Sequence, residues 1–113
     1  MASECDFLVV VAPLTPATRG LVNEKVLKRM KASAFLIDIS RGGLVDHSAL
    51  IEALNAGRLA GAALDVYPVE PLPETSPLWG MPNLILSPHV GGASGKYLDR
   101  ATDLFAENLR RYV

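Results

Sequence analysis

Three side chains that could carry ionic or acid–base chemistry lie at or just beyond the ends of predicted strands: Arg41, Asp65 and His89. The carboxyl ends of parallel strands meet at one edge of a sheet, and open α/β sheets bind their ligands at that edge. Arg41 taken alone is most simply a surface arginine in an ordinary strand-to-helix loop. Three such residues at the ends of one small sheet, however, indicate a site.

These side chains have the chemical groups that the reduction of a 2-oxo acid requires. Arg41 offers a planar pair of donors that can hold a carboxylate and polarise the neighbouring carbonyl. His89 can give or take a proton near neutrality. Glu70, which lies among prolines, could favour the protonated imidazole and hold one tautomer. Asp65 is alternatively a free acceptor for an amide or a hydroxyl. No side chain delivers a hydride, so this chemistry requires a cofactor.

Composition and motifs exclude several other functions. Histidine and cysteine do not cluster at metal-ligand spacing, and neither G-x-S-x-G nor a phosphate-binding loop is present. The net charge is −1 with scattered charges, so we expect no nucleic-acid partner and no anionic membrane partner. The single cysteine, Cys5, cannot form an internal disulfide and fits a cytoplasmic protein.

Apolar runs alternate with helical patterns along the chain. Asn23 and Asp46 are predicted helix caps, because their side chains can accept from free first-turn amides. Residues 67–82 contain five prolines and are expected to form an irregular loop. The run at 34–40 has the pattern of a strand covered on both faces. The alternation predicts an α/β fold with a parallel sheet, right-handed crossovers and a long amphipathic C-terminal helix. The predicted strands are 7–12, 34–40, 59–66 and 84–86.

Three motifs carry a resemblance to a known family. They are PLTPATRGLVN at residues 13–23, FLIDISRGGLVDHSALIEALNAGRLAGAALDVYPVEPLP at 35–73, and SPHVGG at 87–92. In order and spacing the chain resembles the NAD-binding domain of the D-isomer-specific 2-hydroxyacid dehydrogenases. The resemblance implies a partial Rossmann-like parallel sheet with flanking helices.

The resemblance also implies roles for single residues. Arg41 resembles the catalytic arginine that grips the substrate, His89 the catalytic acid/base, and Glu70 its paired acid. Asp65 resembles the residue that accepts from the nicotinamide carboxamide. The implied cofactor is NAD or NADP. Its implied contacts are Ala12, Pro13 and Thr18 beside the adenosine half, Ile39, Ser40 and Arg41 beside the nicotinamide ribose, and Asp65, His89, Gly91 and Gly92 beside the nicotinamide ring.

The chain also departs from the family pattern. Members are roughly three times as long as these 113 residues, and the fingerprint G-x-G-x-x-G has no counterpart here. We therefore predict that residues 1–113 are the second half of an NAD-binding domain, without the fingerprint half and the substrate domain.

On this interpretation the parent enzyme is similar to a glyoxylate/hydroxypyruvate reductase or a phosphoglycerate dehydrogenase, and this chain is inactive alone. The alternative is a short interaction module or one half of a split enzyme. Either way, an unpaired sheet edge predicts association with a second copy or with a complementing fragment.

Overall fold

A computed structural model describes residues 2–113 and shows one parallel sheet in the order β1-β2-β3-β4. This architecture confirms the predicted α/β class. The strands are β1 Phe7–Val10, β2 Phe35–Asp38, β3 Gly61–Leu64 and β4 Leu84–Leu86. The helices are α1 Glu24–Leu27, α2 His47–Asn55 and α3 Tyr97–Tyr112, and a short 3₁₀ turn occupies Pro77–Gly80.

Both predicted helix caps are confirmed. Asn23 Oδ1 accepts from the main-chain N–H groups of Lys25 and Val26. Asp46 accepts from the N–H of Ala49 at 3.1 Å. These bonds satisfy first-turn donors that have no partner within the helix. The caps therefore define where α1 and α2 begin. They also set the lengths of the loops that connect β1 to α1 and β2 to α2.

The core lies on the sheet face that α1 and α2 cover. Alternate strand residues point to this side, among them Leu36 and Leu64, which are almost fully buried. Leu27 of α1 and Leu50 of α2 are buried with them. The packing of these side chains is the main apolar stabilisation that the chain possesses.

The opposite face is open, and the prediction that strand 34–40 is covered on both faces is therefore wrong. Phe35 is 40% exposed, Phe7 62% and Ile85 71%. The rings of Phe7 and Phe35 stack with their centroids 5.6 Å apart, across two paired strands. The strands carry apolar residues on both faces as expected, but α1 and α2 both cover the core face and leave the opposite face exposed. We call the open side the bare face; it consists of Phe7, Val9, Phe35, Ile37, Ala63 and Ile85.

The long C-terminal helix is confirmed as an element, but it does not close the fold. No residue of α3 is buried, and Leu98, Leu104 and Phe105 are each more than half exposed. Its apolar residues still recur at helical spacing, as on a helix that packs against a partner surface. The molecule is elongated as a result, with extents of 57 × 33 × 25 Å. Within residues 2–113, no helix combines the length and apolar character needed to cross a bilayer.

Candidate active site

The parallel register brings the ends of the strands to one edge. Val10 aligns with Asp38, Asp38 with Leu64, and Leu64 with Leu86. The segments that follow β2, β3 and β4 therefore leave the sheet side by side, and they carry Arg41, Glu70 and His89 respectively. Neighbouring strands lie about 4.8 Å apart, so the exits of β2 and β4 are separated by roughly 10 Å.

Glu70 and His89 form a direct pair. Glu70 Oε2 lies 2.8 Å from His89 Nδ1, although the two residues are 19 apart in sequence. The hydrogen bond to His89 and a second one from the Tyr67 N–H lower the pKa of Glu70. An ionised Glu70 accepts the Nδ1 proton and leaves Nε2 facing away from the pair. The geometry suits a histidine whose tautomer is held for proton transfer.

A carboxylate also holds the turn on which His89 sits. Asp65 Oδ1 accepts from the Val90 N–H at 2.9 Å, and Oδ2 accepts from the Gly91 N–H at 2.8 Å. Ser87 Oγ donates to Oδ1 as well. Burial of Asp65 opposes its ionisation, but the bonds from Ser87, Gly91 and Val90 outweigh it and leave the pKa lowered. Asp65 thus anchors the turn around His89, a contact that sequence reasoning missed, and the expectation that it is a free acceptor is wrong.

The backbone of His89 is unusual in the same turn. Its φ is +57°, in the left-handed region that is uncommon for residues other than glycine. A Cβ added to Gly91 would lie 2.8 Å from Asp65 Oδ2 and would displace the carboxylate that holds this turn. The segment SPHVGG is therefore a tight turn that presents the imidazole beyond the end of β4.

Arg41 lies at the same edge but in a different concavity. Its Nη1 donates to the carbonyl of Ser40 at 2.7 Å, and the side chain is exposed. It borders a groove of about 560 Å³ whose other lining residues are Val11, Ala12, Pro13, Leu14, Ile39 and Ser40. His89 and Glu70 line a second cavity of about 570 Å³, together with Tyr67, Pro71, Leu72, Trp79, Leu86, Ser87 and Pro88. The structure brings Glu70 and His89 into contact and leaves Arg41 as a separate cation on the same edge.

The groove beside Arg41 fits part of a dinucleotide. It contains Ala12, Pro13, Ile39, Ser40 and Arg41, which are five of the predicted cofactor contacts. The buried Ser40 hydroxyl donates to Asp38, so Ser40 offers main-chain atoms to the groove. Nothing in the sequence supplies a glycine-rich turn that could cradle a pyrophosphate. The groove therefore collects residues that were predicted beside the nicotinamide ribose and beside the adenosine half.

Three further predicted cofactor contacts, Thr18, Gly91 and Gly92, lie in the loop after β1 and in the turn after β4. Thr18 Oγ1 donates to the Pro13 carbonyl at 2.7 Å, so its proton shapes the loop after β1. Gly91 and Gly92 lie in the turn after His89, and Gly92 has open space where a Cβ would project. The predicted contacts therefore lie in the loops that follow β1, β2, β3 and β4 at the carboxyl edge of the sheet.

Comparison with known proteins is consistent with this geometry. Residues 1–91 match the family model described as D-isomer specific 2-hydroxyacid dehydrogenase, NAD binding domain. Glyoxylate reductase from Korarchaeum cryptofilum is 42% identical over 96% of this chain, which spans 33% of that relative. Glyoxylate reductase/hydroxypyruvate reductase from Homo sapiens is also 42% identical, with the same two coverages of 96% and 33%. The chain thus spans about a third of the length of these relatives.

Solved structures agree in fold. The D-isomer specific 2-hydroxyacid dehydrogenase from Xanthobacter autotrophicus Py2, in complex with NADPH and MES, superposes with a TM-score of 0.89. That enzyme is 42% identical, and the match covers 98% of this chain and 45% of that chain. An NADPH-dependent glyoxylate/hydroxypyruvate reductase from Sinorhizobium meliloti, in complex with NADP and sulfate, gives a TM-score of 0.85 at 36% identity, covering 98% of this chain and 36% of its own. The expectation of a nicotinamide dinucleotide is confirmed at the level of the family. The chain belongs to the NAD-binding domain family of the D-isomer specific 2-hydroxyacid dehydrogenases.

Proposed function

We propose that the intact protein containing this chain reduces a 2-oxo acid to a D-2-hydroxy acid with NADH or NADPH. The observation that carries the proposal is the 2.8 Å contact between Glu70 and His89 at the sheet edge that also bears Arg41. The names of the relatives favour glyoxylate and hydroxypyruvate as substrates. A phosphoglycerate dehydrogenase-like substrate is the second candidate, since a structure of that enzyme from Lactobacillus plantarum is 35% identical to this chain.

Each catalytic residue has one task in this proposal. Arg41 holds the substrate carboxylate and draws electron density from the adjacent carbonyl. His89 donates a proton to the carbonyl oxygen as the hydroxyl forms, and Glu70 stabilises the imidazolium before that transfer. The bound nicotinamide supplies the hydride that the carbonyl carbon receives. In the reverse direction His89 accepts the hydroxyl proton.

Arg41 must turn away from Ser40 to perform this task. In the present arrangement its Nη1 is bonded to a main-chain carbonyl next to it in sequence. That bond is only partly buried and joins the end of a long side chain to the main chain, so a substrate carboxylate can compete for the guanidinium. The cofactor contacts at Ala12, Pro13, Thr18, Ile39, Ser40, Asp65, Gly91 and Gly92 remain predictions of the same proposal.

A hybrid enzyme tests this function. In the Xanthobacter enzyme, the segment that superposes on this chain would be replaced by residues 2–113, since the two match over 98% of this chain. We expect the hybrid to oxidise NADPH in the presence of glyoxylate or hydroxypyruvate, whereas the chain by itself does not. Steady-state absorbance at the nicotinamide band measures the rate. A folded hybrid that binds NADPH but shows no turnover with any 2-oxo acid would contradict the proposal.

The bare face and the free α3 favour a second property, association of the isolated chain. Phe7, Val9 and Ile85 expose apolar surface that a sheet of this kind normally covers, and the outer edge of β1 is unpaired. Such a chain associates with a second copy or with a complementing fragment. The cytoplasmic location inferred from Cys5 belongs to the same set of predictions.

Sedimentation measures this association directly. At low micromolar concentration we expect the chain to sediment as dimers or larger species, and Ile85→Glu to shift it towards monomer. Val69→Glu is the matched control, because Val69 is 62% exposed in the loop after β3 rather than on the bare face. A sharp monomer boundary for the unmodified chain, with cooperative melting, would contradict the prediction.

A further inference from the structure

Tyr67 is a buried aromatic residue that contacts all three segments of the candidate site. It follows β3 closely in sequence and is only 6% exposed, although Pro68, Val69 and Glu70 after it are all exposed. Burial raises the pKa of its hydroxyl, which therefore stays protonated at neutral pH. A neutral tyrosine of this kind can donate one hydrogen bond and pack its ring at the same time.

The first contact is with the catalytic pair. The main-chain N–H of Tyr67 donates to Glu70 Oε1 at 2.9 Å. The other carboxylate oxygen, Oε2, is the one that meets His89 Nδ1 at 2.8 Å. The carboxylate is therefore held at both oxygens, and its plane is fixed with respect to the imidazole. Removing either bond would let the Glu70 side chain rotate, because the residue is otherwise exposed.

The second contact joins the loop after β3 to the end of β4. The Tyr67 hydroxyl lies 2.9 Å from the Ser87 carbonyl and 3.0 Å from the Leu64 carbonyl. The single hydroxyl proton serves one of these acceptors at a time. The Leu64 carbonyl already accepts a hydrogen bond from the Ser87 N–H at 3.0 Å. The Tyr67 hydroxyl proton is therefore assigned to the Ser87 carbonyl. Since Ser87 lies two residues before His89, this bond ties the two halves of the catalytic pair together.

The third contact is with the loop that carries Arg41. A Cβ added to Gly42 would lie 1.9 Å from the carbonyl oxygen of Tyr67. The main chains of the two loops are therefore in direct contact, with no room for a side chain between them. The ring of His47, in the first turn of α2, lies edge-on to the Tyr67 ring at 6.3 Å. Tyr67 thus lies between the Arg41 loop and the Glu70–His89 pair.

We propose that Tyr67 is a positioning residue that fixes the Glu70 carboxylate against His89 and sets the distance from this pair to the Arg41 loop. The physical reason for such a residue is that proton donor and anion clamp must be placed to within about 0.5 Å to act on one small substrate. The catalytic meaning of the proposal rests on the function proposed above. The positions of Tyr67, Glu70 and His89 relative to one another do not depend on that function, and they can be measured in the 113-residue chain.

Tyr67→Phe is the direct test, because it removes the hydroxyl and keeps the ring. Imidazole ¹⁵N shifts report the tautomer of His89, and the carboxyl ¹³C shift of Glu70 reports its titration. The chain has two histidines, so His89 is assigned by comparison with a His89→Asn variant. Tyr67→Phe keeps the main-chain N–H that bonds Glu70 but releases the loop after β3 from Ser87. We therefore expect the Glu70–His89 contact to loosen, with a smaller share of the Nδ1–H tautomer of His89 and a Glu70 pKa that moves up towards its ordinary value. Unchanged tautomer and unchanged titration in a folded variant would overturn the proposal.

Tyr112→Phe is the matched control. It makes the same chemical change on α3, where Tyr112 is 90% exposed and far in sequence from the site. We expect it to leave the His89 tautomer and the Glu70 titration as they are in the unmodified chain. An equal change in both variants would show that Tyr67 has no special role, and would also overturn the proposal.

His89→Asn provides an independent measurement should Tyr67→Phe fail to fold. It removes the imidazole but leaves the N–H of Tyr67 on Glu70. We expect the Glu70 pKa to rise only part of the way, and to remain below its ordinary value of 4.5. A complete return to the ordinary value would show that Tyr67 does not hold the carboxylate, and would overturn the proposal whatever Tyr67→Phe does.

Turnover in the hybrid enzyme separates this proposal from the function on which it rests. There Tyr67→Phe is expected to lower kcat by about tenfold with little change in the KM for NADPH, since sub-ångström misplacement affects the chemical step. If the unmodified hybrid shows no turnover, the proposed function fails while the spectroscopic results still decide the role of Tyr67. If the hybrid is active and Tyr67→Phe matches it in kcat, the positioning role fails.

Discussion

Replacing His89 with asparagine is expected to lower kcat of the hybrid enzyme by about 10²–10⁴-fold, the usual contribution of a general acid. Binding of NADPH should change much less than kcat, because His89 is only one of the predicted cofactor contacts and the groove next to Arg41 is lined by other segments. The loss is expected in kcat and in kcat/KM alike, since the proton is needed only as the carbonyl is reduced. Steady-state kinetics and a separate fluorescence titration of NADPH measure the two effects.

Asparagine is chosen because of the backbone at this position. His89 has a φ of +57°, and asparagine tolerates the left-handed region better than alanine does. A loss of activity in His89→Asn therefore reports the missing imidazole rather than a rearranged turn. His89→Ala is expected to show at least the same loss, with added destabilisation of the turn that Asp65 holds.

Two glutamates provide the matched comparison. Glu70→Gln keeps the shape of the side chain but removes the charge that stabilises the imidazolium, so a smaller loss of about tenfold is expected. Glu74→Gln makes the same change at an exposed position in the loop and is expected to keep the rate of the unmodified hybrid. A His89→Asn hybrid with full turnover, or equal losses in Glu70→Gln and Glu74→Gln, would contradict the catalytic assignment.

Gly42→Ala is expected to destabilise the chain by about 3 kcal/mol or more, at the upper end of what overpacking in a tight site costs. The new Cβ would lie 1.9 Å from the Tyr67 carbonyl oxygen and 2.6 Å from the Pro68 nitrogen. Both atoms belong to main chain, which cannot turn aside as a flexible side chain does. The loop after β2 and the loop after β3 must therefore separate, and Arg41 moves away from Glu70 and His89.

Gly80→Ala is the control for this substitution. Gly80 ends the 3₁₀ turn, and an added Cβ there meets no atom within 4 Å. Thermal or urea unfolding of the two variants under equal conditions gives the difference in the free energy of unfolding. A Gly42→Ala chain as stable as Gly80→Ala would show that the two loops are not in the contact described. In the hybrid, Gly42→Ala should also reduce turnover well below that of Gly80→Ala.

Local sequence patterns predicted most of the elements correctly, because their causes are local. Asn23 and Asp46 were predicted as caps from the type of side chain that satisfies free amides, and both bonds are present. The prolines after Tyr67 predicted an irregular segment, and only a short 3₁₀ turn interrupts it. The pairing of Glu70 with His89 was predicted from the position of Glu70 among prolines and from the family resemblance, and the structure brings the two side chains together.

Long-range contacts were predicted less well. The run at 34–40 is apolar on both sides, so it reads as a doubly covered strand whether or not a second layer is present. Only the exposure of Phe35 and Ile39 shows that one face is bare. Similarly, the apolar spacing of α3 predicts an amphipathic helix but does not say whether the helix packs on its own sheet. In both cases the surfaces that meet depend on chain far away in sequence.

The sequence by itself determined the alternation of strands and helices, the starts of α1 and α2, and the residue types available at the carboxyl edge of the sheet. These depend on side-chain periodicity and on hydrogen bonds between near neighbours, which a sequence records directly. Only the tertiary structure decided that Asp65 anchors the turn of His89, that Tyr67 bonds to both Glu70 and Ser87, and that Gly42 lies against Tyr67. Such contacts arise where separate loops converge after the sheet has formed, and their distances are set by packing of the whole edge.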